Sequence, residues 1–181
     1  MLTDICPRPL LTQEPIDYRD LKTDEVRALY NESLDALSSG RSLASIRGLG
    51  VHDMHARLAA GRELAESGDF ESAFSIAFEL YLLDPREYRH AYLAALCMHQ
   101  LDETESALAF YFAADSTGMV PEAVYGMAQC FETMGDHPSA IRHFDRVGEM
   151  TRGLPQYGEL REAAGDAAHK LYTALKPALA E

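Results

Sequence analysis

The chain has 181 residues, with 29 acidic against 16 basic side chains and a net charge of −13 with neutral histidines. Such a surface repels a nucleic-acid backbone, and no uncharged apolar run approaches the roughly 18 residues that would span a membrane, so neither nucleic-acid binding nor stable membrane insertion is expected. With 47% apolar and 25% charged residues, the composition is that of one ordinary domain or one continuous array, burying about 70% of the surface its unfolded chain exposes.

The first residues place Asp4 where a secretory signal needs basic charge, and Pro7, Pro9 and Pro15 break the apolar stretch that should follow. No export signal is predicted, and residues 1–20 read as an extended or disordered arm. Cys6, Cys97 and Cys130 form no Cys-x-x-Cys pair. That argues against a disulfide framework or structural zinc and fits a reducing cytoplasm.

Residues 21–51 read as N-terminal helices. Val26, Leu29, Tyr30, Ser33, Leu34 and Leu37 recur at helical spacing, with Asp24 and Glu25 near the positive end and a stop at Ser38-Ser39-Gly40. A shorter segment follows with Leu43, Ile46 and Leu49, ended by Gly48 and Gly50.

Residues 52–153 repeat. Gly68-Asp-Phe-Glu-Ser-Ala73, Asp102-Glu-Thr-Glu-Ser-Ala107 and Gly135-Asp-His-Pro-Ser-Ala140 are spaced by 34 and 33 positions. Gly61, Ala95 and Ala128 keep the same spacing, as do Leu64, Met98 and Phe131, and Leu80, Ala114 and Val147. Each unit, at about 54–85, 87–119 and 121–153, reads as two antiparallel helices. Asp53, Asp69, Asp136 and an Asp102/Glu105 pair are the expected helix caps, and Asp84-Pro85 closes the first unit. The small residues let paired backbones approach closely. A capping helix is expected over 155–176, with Leu160, Ala164, Ala167, Ala168, Leu171, Tyr172 and Leu175 on one stripe and Pro177 ending it.

A helical pair of this period with these small and large columns resembles the tetratricopeptide repeat. The expected fold is therefore an all-α solenoid of three helical pairs, with an N-terminal helical arm and a C-terminal capping helix. Ser67-Gly-Asp-Phe-Glu-Ser-Ala-Phe74, Leu83-Asp-Pro85, Ala128-Gln-Cys-Phe131, Gly40-Arg-Ser-Leu-Ala-Ser-Ile46 and the acidic charge make residues 37–175 resemble the class II chaperones of bacterial type III secretion systems. These hold hydrophobic translocator proteins in the cytoplasm before secretion. The resemblance implies a Pro-x-Leu-x-x-Pro-like client segment in the concave groove and, often, a homodimer through the N-terminal helices. Val26, Leu29, Tyr30, Leu34 and Leu37 are the candidate dimer interface, and the same stripe could dock on the first repeat of its own chain. Pro9-Leu-Leu-Thr-Gln-Glu-Pro15, one residue longer than the client pattern, could occupy a groove or stay disordered.

Catalysis has little support. No phosphate loop, nucleophile elbow or His-Glu-x-x-His helix is present. His52-Asp53-x-His55 could supply metal ligands, but a helix-start aspartate between solvent-facing histidines is the simpler reading. Cys97 and His99, two apart, point to different faces of a helix, and Cys97 and Cys130 share one repeat column, as packing thiols do. No cofactor is implied. Counting the repeat register along the first helix of each pair gives a concave face of His55, Leu58, Arg62 and Ala65; Arg89, Tyr92, Leu96 and His99; Glu122, Tyr125, Gln129 and Glu132. The peptide-groove candidates are Leu58, Arg62, Ala65, Tyr92, Leu96, His99, Tyr125 and Gln129, with the tyrosines able either to meet a peptide or to pack between repeats. The expected function is a cytoplasmic, non-enzymatic translocator chaperone. The alternative is a general repeat adaptor with no secretion role.

Overall fold

The computed structural model describes residues 38–40, 42–46 and 48–175. Through these run α1 (Leu43–Ile46), α2 (Val51–Glu66), α3 (Phe70–Leu83), α4 (Tyr88–Gln100), α5 (Thr104–Gly118), α6 (Pro121–Thr133) and α7 (His137–Met150). A 3-10 turn (Pro155–Tyr157) then leads into α8 (Gly158–Leu175), and no strand occurs among the described residues. From α2 onward each helix packs on the next in sequence, while α2 also touches α4 and α4 touches α6. Contacts confined to near neighbours are the signature of a solenoid, here the tetratricopeptide-repeat fold, with α2/α3, α4/α5 and α6/α7 as its pairs and α8 covering α7.

The turn inside each pair is the same piece of backbone chemistry three times. Gly68, Asp102 and Gly135 hold φ of 89°, 61° and 77°. The next N–H, that of Asp69, Glu103 or Asp136, donates to the carbonyl of Leu64, Met98 or Phe131, at 2.9 Å in every case. This bond satisfies a carbonyl that the helix end leaves open. Asp69 and Asp136 then cap the second helix, accepting from the backbone N–H of Ser72 at 3.2 Å and of Ser139 at 3.1 Å.

The second pair differs from the sequence expectation. Asp102 occupies the left-handed position that glycine holds elsewhere, so the cap falls to Glu103, which makes no side-chain capping bond, and the expected Asp102/Glu105 pair does not form. Asp53 is likewise not the cap of α2. The helix starts at Val51, and Asp53, inside its first turn, accepts from the N–H of Gly50 at 3.0 Å.

Small residues sit where the helices cross. Ala73, Ala95, Ala107, Ala128 and Ala140 are fully buried, and so are Leu80, Ala114 and Val147. A methyl group on Gly61 would lie 3.1 Å from Leu93 and 3.2 Å from Ile76. The tightest contact is unrelated to those columns. Tyr111 of α5, buried to 2% exposure, lies over Gly126 of α6 so closely that a Cβ there would stand 2.3 Å from the ring.

The third pair lacks the closing proline, and α8 makes good the loss. Arg161 donates to the carbonyl of Thr151 at 2.9 Å, and Thr151 Oγ1 donates back to Val147 O at 2.7 Å. Ala164, Ala168 and Leu171 form the buried stripe of α8. Tyr172 is 55% exposed and leaves that stripe, because residue 172 points about 100° away from residue 171 on the helix. Residues 1–37 and Pro177 lie outside the described residues, and so do the candidate dimer stripe and the Pro9–Pro15 segment.

Two outcomes follow for stability. Asp102→Gly should raise the free energy of unfolding by about 0.5 kcal/mol, since glycine carries no Cβ penalty at positive φ; a lower urea midpoint would contradict this. Gly126→Ala should cost about 1–3 kcal/mol through overpacking, and less in a Tyr111→Leu background, as a double-mutant cycle would show.

Candidate functional site

Helices α2, α4 and α6 form one row, and aromatic rings join α3 to α5 in the other. Phe110 packs edge-on to Phe74 and Tyr81, with centroids 5.8 Å away in both cases. Along the first row opens a cavity of about 280 Å³, lined by side chains from three repeats and by the α5–α6 connection.

The start of α4 builds its floor. Glu87 caps the helix by accepting from the N–H of Arg89 at 3.3 Å and grips the same residue's guanidinium at Nε and Nη2, both 2.8 Å away. The pairing lowers the carboxyl of Glu87 and raises the guanidinium of Arg89 relative to their usual ranges. Arg89 Nη2 also lies 3.1 Å from His55 Nε2, tying α4 to α2. One turn on, Tyr92 packs at 6.1 Å on Tyr111, and burial foremost pushes its phenol up to about 12. The connection from α5 comes close because Gly118 has no side chain: a Cβ there would stand 2.6 Å from the ring of Tyr88. Met119 follows with φ 48° and 76% exposure, and Tyr157 of the 3-10 turn closes the far wall.

Of the residues expected from the repeat register, the cavity brings together Arg62, Arg89, Tyr92 and Glu122. Leu58 is a correction. At 3% exposure it lies in the buried cluster with Ala77, Leu80 and Leu93 and presents no surface to a ligand. Ala65, Leu96, Tyr125 and Gln129 are half-buried outside the cavity lining, Ala65 against the same buried residues as Leu58, and Leu96 and Tyr125 against the core that runs from Ala91 to Leu171 around Tyr111 and Phe144. Tyr125 meets Phe144 edge-on at 5.4 Å. His99 Nδ1 lies 3.3 Å from the Tyr111 hydroxyl, and burial lowers the affinity of its ring for a proton. Register counting missed Tyr88, Met119 and Tyr157, which come from a helix start, a turn and a linker. The one sequence signal for them is Gly118 at the end of its repeat.

Cys97 and Cys130 are buried and free, and burial pushes both thiols up to about 11. Among the described residues no cluster of His, Cys, Asp and Glu is arranged to hold a metal ion, and no helix is long and apolar enough to cross a membrane.

No protein-family model and no curated protein matches the sequence. The fold does match solved structures. A type III secretion complex from Aeromonas hydrophila superposes with a TM-score of 0.76 at 20% identity, over 83% of this chain and 98% of that one. The Yersinia enterocolitica chaperone SycD, in complex with a peptide of the translocator YopD, gives 0.68 at 16% identity, over 70% and 97%. PcrH from Pseudomonas aeruginosa gives 0.67 at 24% identity, over 72% and 99%, and PcrH is also known bound to the chaperone-binding regions of PopD and PopB. The chain therefore has the fold of the type III secretion translocator chaperones, across nearly the full length of each.

The thiol chemistry is directly measurable. In a Cys6→Ser variant, Ellman's reagent at pH 7 should titrate neither remaining thiol in the folded protein and both after denaturation, because the thiolate is the reactive form. Rapid labelling of the native protein would refute the buried assignment.

Proposed function

We propose that this chain is a cytoplasmic, non-enzymatic chaperone of type III secretion translocator proteins. It holds an extended segment of a hydrophobic client along the row formed by α2, α4 and α6. The observation that carries the reading is the coincidence of two things: a fold shared with SycD and PcrH over 97% and 99% of their lengths, and a cavity on the row of first helices, where a stacked-pair solenoid presents its concave side. Tyrosines suit this task because each offers a broad apolar face and a polar rim at low entropic cost. An extended peptide supplies prolines and leucines to such faces and backbone carbonyls to groups such as Arg62 and Gln129. The net charge of −13 would keep the complex soluble while the client contributes apolar surface. A homodimer through Val26, Leu29, Tyr30, Leu34 and Leu37 belongs to the same reading.

Co-production with a candidate type III secretion translocator protein should yield a defined, co-purifying complex. Tyr92→Ala should then weaken the client affinity roughly tenfold, from a loss of about 1–2 kcal/mol at a half-buried contact, and Tyr125→Ala should weaken it in the same direction. Helical content by circular dichroism should be unchanged in both. Unaltered affinity in both variants would remove the groove assignment, and a client that never co-purifies would remove the chaperone reading.

A further inference from the structure

The cavity carries opposite charges on opposite walls. Arg62 comes from α2, Glu122 from the first turn of α6, and Tyr92 of α4 lies between them, all lining one space. Arg89, the other cation there, is held by both oxygens of Glu87 and by His55. Arg62 is different: it is exposed and makes no ion pair with any described residue. Glu122 is half-buried and has no cationic partner among those residues either. Both charges act on the Tyr92 phenol, Glu122 raising and Arg62 lowering its proton affinity, which places them within electrostatic reach of the same point. In a chain with only 16 basic side chains and a net charge of −13, a cation and a carboxylate that line one cavity and pair with no described residue leave both charges open to a ligand.

We infer that Arg62 and Glu122 set the direction in which an extended client segment lies in the groove, with its acidic end over α2 and its basic end over α6. This rests on the groove reading above and adds to it a polarity that apolar pockets alone do not provide. The two charges are solvent-accessible, so each contributes modestly and is screened by salt. Their effect is on specificity and orientation more than on total affinity. Reversing the order of charges in a peptide of fixed composition removes two attractions and adds two repulsions, and the four small effects combine.

The test uses three fluorescein-labelled synthetic peptides with a common Pro-Ala-Leu-Ala-Ala-Pro core. One is uncharged, one carries two aspartates before the core and two lysines after it, and one carries them in the reverse order. Fluorescence anisotropy at low salt should show the uncharged peptide binding and the two charged peptides differing by about fivefold or more. The difference should collapse in about 0.5 M salt, where the screening length is only a few ångströms. In an Arg62→Glu/Glu122→Arg double variant the preference should invert. Arg62→Glu alone, a change on an exposed helix face, should at least cancel it, which keeps the test valid if α6 does not accept arginine in its first turn. Equal affinities for the two charged peptides, with the uncharged one bound, would overturn the polarity and leave the groove reading standing. A preference that neither variant alters would also overturn it. Binding of none of the three would overturn the groove reading and the polarity together.

Discussion

The fit of Tyr111 over Gly126 is the contact on which the rest of the stack depends. Tyr111 belongs to α5, yet its ring fills the notch that a missing side chain leaves in α6, and its hydroxyl meets His99 on α4. One side chain therefore fixes the spacing of three consecutive helices. It also supports the floor of the cavity, since Tyr92 packs against it at 6.1 Å. A solenoid has no global core to enforce its shape; each pair is positioned only by its neighbours. Here the middle junction is set by a contact too tight to slide.

Polar contacts mark the register at the two ends of the stack. Arg57 of α2 pairs with Glu79 of α3 at 3.0 Å, with the arginine side chain almost out of solvent. Arg146 of α7 pairs with Asp115 of α5 at 2.7 Å, joining the second and third repeats across their outer helices. Partly buried pairs of this kind specify geometry more than they add stability, because desolvation offsets much of the attraction. The shape they accompany sets three first helices side by side, with Tyr92 of α4 and Tyr125 of α6 half-buried.

Much of this was legible in the sequence because a solenoid writes its packing periodically. The columns of Ala73, Ala107 and Ala140, and of Leu80, Ala114 and Val147, could be read from spacing alone, and all six residues are fully buried. Gly126 could not be read that way. Its counterparts one and two repeats earlier are Leu93 and Ala59, so no column marks it, and its role depends on a tyrosine in a neighbouring helix. Leu58 failed for a related reason. It shares a register position with Tyr92, but in the first repeat that position turns into the core beside Leu93. The cavity walls from Tyr88, Met119 and Tyr157 were out of reach, since helix-face counting says nothing about side chains carried by turns and linkers.

The central claim is that a client segment lies along the row of α2, α4 and α6 and not on the outer row. Site-specific photo-crosslinking separates the two faces. A benzophenone amino acid at Met119, exposed at the cavity, and separately at Phe78, exposed on α3 among the outer-row rings, would be introduced into the chain co-produced with a candidate translocator protein. The account predicts a crosslinked complex from position 119 and none from position 78. Crosslinking from position 78 with none from position 119 would contradict it.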